Sequence, residues 1–90
     1  MALDLDIRNY YEHLVADEIH RMELTDVSAE LFADVMCLAL NQLPAKYIRH
    51  EVDMAFYMPP NERLEMQMRA REAVERAVRF LKEQAQHLNP

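Results

Sequence analysis

The sequence predicts an all-α fold: a small domain of three to four helices that ends in a long C-terminal helix. Apolar residues recur at three- and four-residue steps in several segments, as on one face of a helix. The 90-residue chain has no glycine, which disfavours the tight turns of β-hairpins. A chain of this length supports one modest core, so we expect residues 1–90 to form a single domain that gains stability as a homodimer.

The first amphipathic segment predicts a helix from about Leu5 to Met22. Its apolar face comprises Ile7, Tyr10, Tyr11, Leu14, Val15, Ile19 and Met22. Glu18 points into this face, where an unpaired carboxylate is costly. Either Glu18 has a buried partner, for which Lys46, Arg49 and Asn41 are the candidates, or it lies at the rim of the core.

The second helix follows the linker from Glu23 to Val27, with Asp26 or Ser28 as its N-cap, and ends before Pro44. Apolar side chains cover more than half of its circumference: Leu31, Phe32, Val35, Met36, Leu38, Ala39, Leu40 and Leu43. We therefore expect it to be the central helix, packed against its own chain and a second copy. Its narrow polar stripe comprises Glu30, Asp34, Cys37 and Asn41. This stripe either lines a ligand site or is simply the solvent-exposed edge of the helix.

Residues 45–58 differ from the helices around them. Polar and apolar residues alternate from Lys46 to His50, which favours an extended segment. Two cations in this stretch lie beside the aromatic ring of Tyr47. Phe56 and Tyr57 are expected to anchor the segment to the core. This composition makes the segment the strongest candidate for a binding loop.

Pro59 and Pro60 predict the start of a long helix, which runs to about Leu88. Its narrow apolar seam predicts a packing or dimer contact and comprises Ala70, Val74, Ala77, Leu81 and Leu88. Three Glu–Arg pairs, each four residues apart, support the exposed face: Glu65–Arg69, Glu72–Arg76 and Glu75–Arg79. Four methionines either form an adaptable cluster or fill gaps in the core: Met54, Met58, Met66 and Met68.

Composition excludes several classes of protein. Without glycine, phosphate-binding loops and nucleophile elbows are improbable. The formal net charge of −6 disfavours direct binding of nucleic acid. The single cysteine rules out an internal disulfide, and the absence of a long apolar run predicts a cytoplasmic protein with no membrane segment. His13, Asp17 and His20 have metal-ligand spacing, but without a further ligand they are read as a solvent-exposed face.

Two strings of residues resemble the late competence development protein ComFB family. They are Asn9-Tyr10-Tyr11-Glu12-His13-Leu14-Val15 and the stretch from Asp34-Val35-Met36-Cys37 through Asn41-Gln42-Leu43-Pro44 to Ala45-Lys46-Tyr47-Ile48. The resemblance covers residues 9–57, and the helix over about residues 60–88 follows. It implies a helical, homodimeric regulatory protein in a family that includes receptors for cyclic di-GMP. The cysteine cluster that holds zinc in some members is missing between the first two helices, so no metal site is expected.

A cyclic di-GMP site needs cations for the phosphates, planar groups for stacking and acceptors for the guanine N–H groups. In that order, the candidates are Arg8, Lys46 and Arg49; Tyr10, Tyr11 and Tyr47; and Asp34 and Asn41. A two-fold dimer would double this supply and match the symmetry of the ligand. The alternative is a dimeric interaction module that binds a regulatory protein partner and no nucleotide.

An enzyme is not expected. His50-Glu51 does not begin a zinc-protease motif, because no histidine occupies position 54. Asp17 and Glu18 point to different sides of one helix, so they cannot act together on a substrate. The sequence therefore predicts neither catalytic residues nor a cofactor.

Overall fold

A computed structural model describes residues 7–22, 28–49 and 58–88 of the protein, with side chains up to residue 85. In these residues a short strand β1 (Arg8–Asn9) leads into helix α1 (Tyr10–Arg21), and helix α2 (Ala29–Leu40) precedes a second short strand, β2 (Tyr47–Ile48). The chain ends in the 29-residue helix α3 (Pro60–Leu88). The predicted all-α class and long C-terminal helix are confirmed. The extended backbone predicted after Lys46 is present as β2, which pairs antiparallel with β1.

Helix α3 is the central element of the described chain and packs against both α1 and α2. It provides six buried residues: Met66, Ala70, Ala73, Val74, Ala77 and Val78. The prediction that the second helix is central is therefore wrong within one chain. Although α2 also packs against both other helices, only its Val35 and Ala39 are buried. The expected contact of α2 with a second copy stays a prediction.

Helix α1 begins at Tyr10, although the apolar pattern predicted a start near Leu5, which lies outside the described residues. Asn9 is the N-cap, and its Oδ1 accepts a hydrogen bond from the Tyr11 N–H at 3.2 Å. Glu12 completes a capping box by accepting from the Asn9 N–H at 3.2 Å. These bonds satisfy helix N–H groups that would otherwise lack partners. The cap therefore outweighs the apolar pattern, and Arg8–Asn9 is a strand.

The same asparagine fixes the segment after α2. Asn9 Oδ1 also accepts from the Lys46 N–H at 3.0 Å, and the Tyr10 N–H donates to the Lys46 carbonyl at 2.7 Å. Arg8 lies opposite Ile48 and Asn9 opposite Tyr47 in the strand pair. The backbone of Lys46 is therefore held against the N-terminus of α1 by two hydrogen bonds.

We expect Asn9→Ala to lower the free energy of unfolding by about 1.5 kcal/mol, because it removes a helix cap and leaves the Lys46 N–H without its acceptor. Ser28 caps α2 in a simpler way, since its Oγ accepts only from the Leu31 N–H, at 3.0 Å. Ser28→Ala is the matched control and should cost about 1 kcal/mol. Urea denaturation of both variants measures the difference, and equal costs would contradict a role for Asn9 beyond capping.

Helix α2 begins after Ser28, which is one of the two N-caps predicted from the sequence. The other predicted N-cap, Asp26, lies outside the described residues. The helix ends at Leu40, earlier than Pro44 alone demands. The N–H groups of Gln42 and Leu43 donate to carbonyls three residues back, at 3.1 and 3.2 Å. This tighter winding closes α2 with a turn before the proline.

Glu18 is buried, with 5% of its surface exposed. Its Oε2 accepts a hydrogen bond from Arg71 Nε of α3 at 3.4 Å, and Arg21 lies 4.0 Å from its Oε1. The three candidate partners from the sequence were therefore wrong. A buried carboxylate needs a cation nearby, and α3 provides one because it crosses α1 at this level.

The remaining predictions for apolar residues have mixed outcomes. Met58 and Met66 belong to the core, whereas Met68 is exposed; Met54, Phe56 and Tyr57 lie outside the described residues. Leu81 is the one partly buried side chain between residues 79 and 85. Residues 79–85 of α3 are therefore mostly exposed, in contrast to the preceding turns, which pack against α1 and α2.

Candidate functional site

The strand pair brings together cationic and aromatic residues from two distant parts of the chain. Arg8 on β1 lies opposite Ile48 on β2, and Asn9 lies opposite Tyr47. Because successive side chains of a strand point to opposite faces, Arg8 shares a face with Ile48, and Tyr47 lies on the other face. Tyr47 is 69% exposed, and Arg8 and Arg49 are also exposed. We use the name ribbon surface for Arg8, Lys46, Tyr47 and Arg49, which lie along both faces of this strand pair. Four of the eight predicted site residues lie on it.

An open depression of about 420 Å³ adjoins β1. It is lined by Ile7, Arg8, Asn9, Glu12 and His13. The ring of Tyr10 stacks on that of His13, with centroids 6.4 Å apart and planes inclined by 29°. This volume is within the range of small-molecule sites, and Arg8 is the ribbon-surface residue in its lining.

A second, smaller depression of about 150 Å³ lies between the start of α1, the segment before β2 and the first turns of α3. We call it the inner depression, and its lining consists of Tyr11, Pro44, Ala45, Lys46, Glu62, Glu65, Met66 and Arg69. Its charges are paired: Lys46 Nζ lies 3.9 Å from Glu62 Oε1, and Arg69 donates to Glu65 Oε1 at 2.8 Å. Two cations and two carboxylates therefore face one small space.

Arg69 is held by two neighbours. A hydrogen bond to the Tyr11 hydroxyl and the charge of Glu65 raise the pKa of Arg69 above its ordinary value, because both stabilise the guanidinium cation. The ring of Tyr11 is buried, with 2% of its surface exposed. Tyr11 therefore has no face free for stacking and contributes only its hydroxyl to the inner depression.

The other predicted acceptors lie elsewhere. Asp34 is on the exposed edge of α2, and Asn41 caps the end of that helix and donates to Cys37 Sγ at 3.9 Å. Asn41 also lines a third depression of about 410 Å³ between α2 and α3, with Leu38, Gln42, Arg76, Ala77 and Phe80. The structure therefore does not bring Asp34 and Asn41 to the ribbon surface.

Gln42 joins the helices at this third depression. Its Nε2 donates to the carbonyls of Leu38 and Ala73, at 3.1 and 3.2 Å, and its Oε1 accepts from Arg76 Nε. Arg76 thus contacts α2 through Gln42, a role that its predicted pairing along α3 did not include. The exposed ring of Phe80 makes this depression largely apolar.

Three charged residues of the inner depression were missing from the predicted site: Glu62, Glu65 and Arg69. Their spacing of three and four residues places them on one face of α3, and the sequence predicted only a surface ion pair between the last two. No local pattern states that this face meets Lys46, because the contact depends on how α3 packs against the segment before β2.

Two further features concern metal ligands and membrane spans. His13 Nε2 lies 3.4 Å from Asp17 Oδ2 on the exposed side of α1. Among residues 7–22, 28–49 and 58–88, no group of three or more His, Cys, Asp or Glu side chains is placed to hold a metal ion. None of the helices in these ranges combines the length and apolar character that a membrane span requires.

Comparison with known proteins identifies a family. The model of the family described as late competence development protein ComFB matches residues 8–85. This range includes both strands and all three described helices, apart from the last residues of α3. No curated protein matches the chain, and no solved structure does.

Proposed function

The chain belongs to the late competence development protein ComFB family, and from this premise we propose that it is a non-enzymatic regulatory protein that binds cyclic di-GMP. The family resemblance supplies the ligand class. The observation that supports it in this chain is the ribbon surface, where pairing of β1 with β2 collects Arg8, Lys46, Tyr47 and Arg49. A receptor for an intracellular messenger would act in the cytoplasm.

The chemistry of the ribbon surface suits a phosphate-bearing base. Arginine and lysine donate charged hydrogen bonds to phosphate oxygens, and the exposed ring of Tyr47 is available to stack on a base. The open depression beside β1 has a volume typical of small-molecule sites. With no glycine in the chain, side chains must hold the ligand where other proteins use backbone N–H groups.

One copy offers few groups for a ligand with two phosphates and two bases. We propose that the protein acts as a homodimer in which two ribbon surfaces bind one cyclic dinucleotide about a shared two-fold axis. An isologous interface repeats each contact, so four residues become eight. The half-exposed apolar side chains of α2 provide surface for such an interface.

Titration calorimetry with cyclic di-GMP tests this proposal. We expect the wild-type protein to bind, and we expect Lys46→Ala and Arg49→Ala each to weaken affinity about tenfold, because each removes a charged hydrogen bond. Arg79→Ala is the matched control: Arg79 is an exposed cation on α3, outside the ribbon surface, and its loss should leave affinity within twofold.

Two results would count against the receptor. Absence of heat and of a thermal shift at high micromolar cyclic di-GMP would exclude it. Unchanged affinity in both variants would move the site away from the ribbon surface. Solution mass with and without ligand tests the dimer in the same samples.

The alternative function is a dimeric interaction module without a nucleotide ligand. It is favoured by the apolar depression between α2 and α3, where Leu38, Ala77 and the 48%-exposed Phe80 meet. Such a patch suits a protein partner. A dimer that gives no signal with cyclic di-GMP would support this module over the receptor.

A further inference from the structure

The inner depression has the construction of an anion site. Lys46 and Arg69 reach it from different elements, and the buried Tyr11 adds a hydroxyl. The backbone of Lys46 is fixed by its bonds to Asn9 and Tyr10. Arg69 is held by Glu65, 2.8 Å away, and lines the depression together with Tyr11. Two cations and a tyrosine therefore converge from three separate segments.

The size of the inner depression limits what it can bind. Small-molecule sites measure about 300 to 1,000 Å³, whereas this one measures about 150 Å³. It is too small for a whole nucleotide and suits a single charged group. Because the ribbon surface shares Lys46 with it, a ligand that lies on the ribbon can place one such group inside.

In the structure, each of these two cations is paired with a carboxylate. Glu62 is 3.9 Å from Lys46, at the outer limit of an ion pair, and both side chains are about half exposed. The Arg69–Glu65 pair is closer but also exposed. Exposed pairs of this kind are weak, so a phosphate that binds both cations at once can displace a carboxylate at little cost.

We propose that the inner depression binds one phosphate group of the cyclic dinucleotide through Lys46 and Arg69, and that Glu62 holds Lys46 until the phosphate replaces it. This inference deepens the proposed function and rests on it. It assigns a ligand contact to Arg69 and a competing role to Glu62.

The test is calorimetry of cyclic di-GMP with wild-type protein and four charge variants. Glu62→Gln should tighten binding about threefold to fivefold, because it removes the competitor for Lys46. Arg69→Gln should weaken binding tenfold or more, because it removes a charged donor. Glu75→Gln and Arg79→Gln make the same charge changes at other exposed positions of α3 and should leave affinity within twofold. Circular dichroism confirms that each variant is folded.

Each outcome decides a different point. Affinity within twofold of wild type in both Glu62→Gln and Arg69→Gln, with Arg49→Ala still weakened, would overturn the phosphate subsite and leave the receptor standing. No binding by the wild-type protein would overturn both. Inorganic phosphate is titrated in parallel, and binding as tight as that of cyclic di-GMP would identify a free-phosphate site and overturn the dinucleotide assignment.

Discussion

We expect Ala70→Leu to lower the free energy of unfolding by about 3 kcal/mol, the largest effect among our predictions. Ala70 has no exposed surface and lies on the face of α3 that packs against α1 and α2. Inserting a larger side chain into a close-packed site forces neighbouring side chains off their rotamers and moves the backbone, at a typical cost of about 1 to 3 kcal/mol. We expect a cost of about 3 kcal/mol, the upper end of this range, because two helices pack against this face of α3.

Gln67→Leu is the matched control for this substitution. Gln67 is exposed on the same helix, and glutamine and leucine have similar helix propensities. Its stability should stay within about 0.5 kcal/mol of the wild type. Urea denaturation at one fixed protein concentration measures both variants, since dimerisation would make stability concentration-dependent. A cost below about 1 kcal/mol for Ala70→Leu would show that α1 and α2 can move apart to accommodate it.

The second large effect concerns the buried carboxylate of α1. Arg71→Ala should cost about 2 kcal/mol, because it leaves Glu18 buried with only the more distant Arg21 near it. The arginine itself is about half exposed, so its own packing contributes little. The expected loss of stability therefore arises from the buried carboxylate of Glu18, which loses its nearest cation.

A double-mutant cycle separates these contributions. In the Glu18→Leu background no buried charge remains, so Arg71→Ala should then cost less than about 0.5 kcal/mol. The difference between the two backgrounds, about 1.5 kcal/mol, is the coupling energy of the pair. Equal costs in both backgrounds would mean that Arg71 stabilises the fold through contacts other than Glu18.

Local signals in the sequence predicted the helices well. Pro59 and Pro60 mark the start of α3, and Ser28 caps α2. The start of α1 was misplaced because its apolar period continues through Ile7. Asn9 and Glu12, three residues apart, already carry the spacing of a capping box, so closer attention to caps would have found the boundary.

Contacts between distant residues could not be predicted in the same way. Arg71 is 53 positions from Glu18 along the chain, and nothing in either neighbourhood indicates the other. Apolar character also misidentified the central helix: α2 is the most apolar, but α3 has the small side chains that allow close approach from two sides. For the candidate site, the sequence predicted that the cations next to Tyr47 belong to one binding segment. It could not predict that Glu62 lies near Lys46, because this contact depends on how α3 packs.

The bond between Asn9 and Lys46 also bears on the order in which the protein folds. It spans 37 positions, so closing that loop costs chain entropy before the bond can form. The Lys46 carbonyl in turn accepts from the Tyr10 N–H, so one N–H of the first turn of α1 is satisfied by tertiary structure. A peptide containing α1 alone would keep the local capping by Asn9 and Glu12 but would lack this bond. The first turn of α1 and the segment before β2 are therefore expected to form cooperatively as one unit.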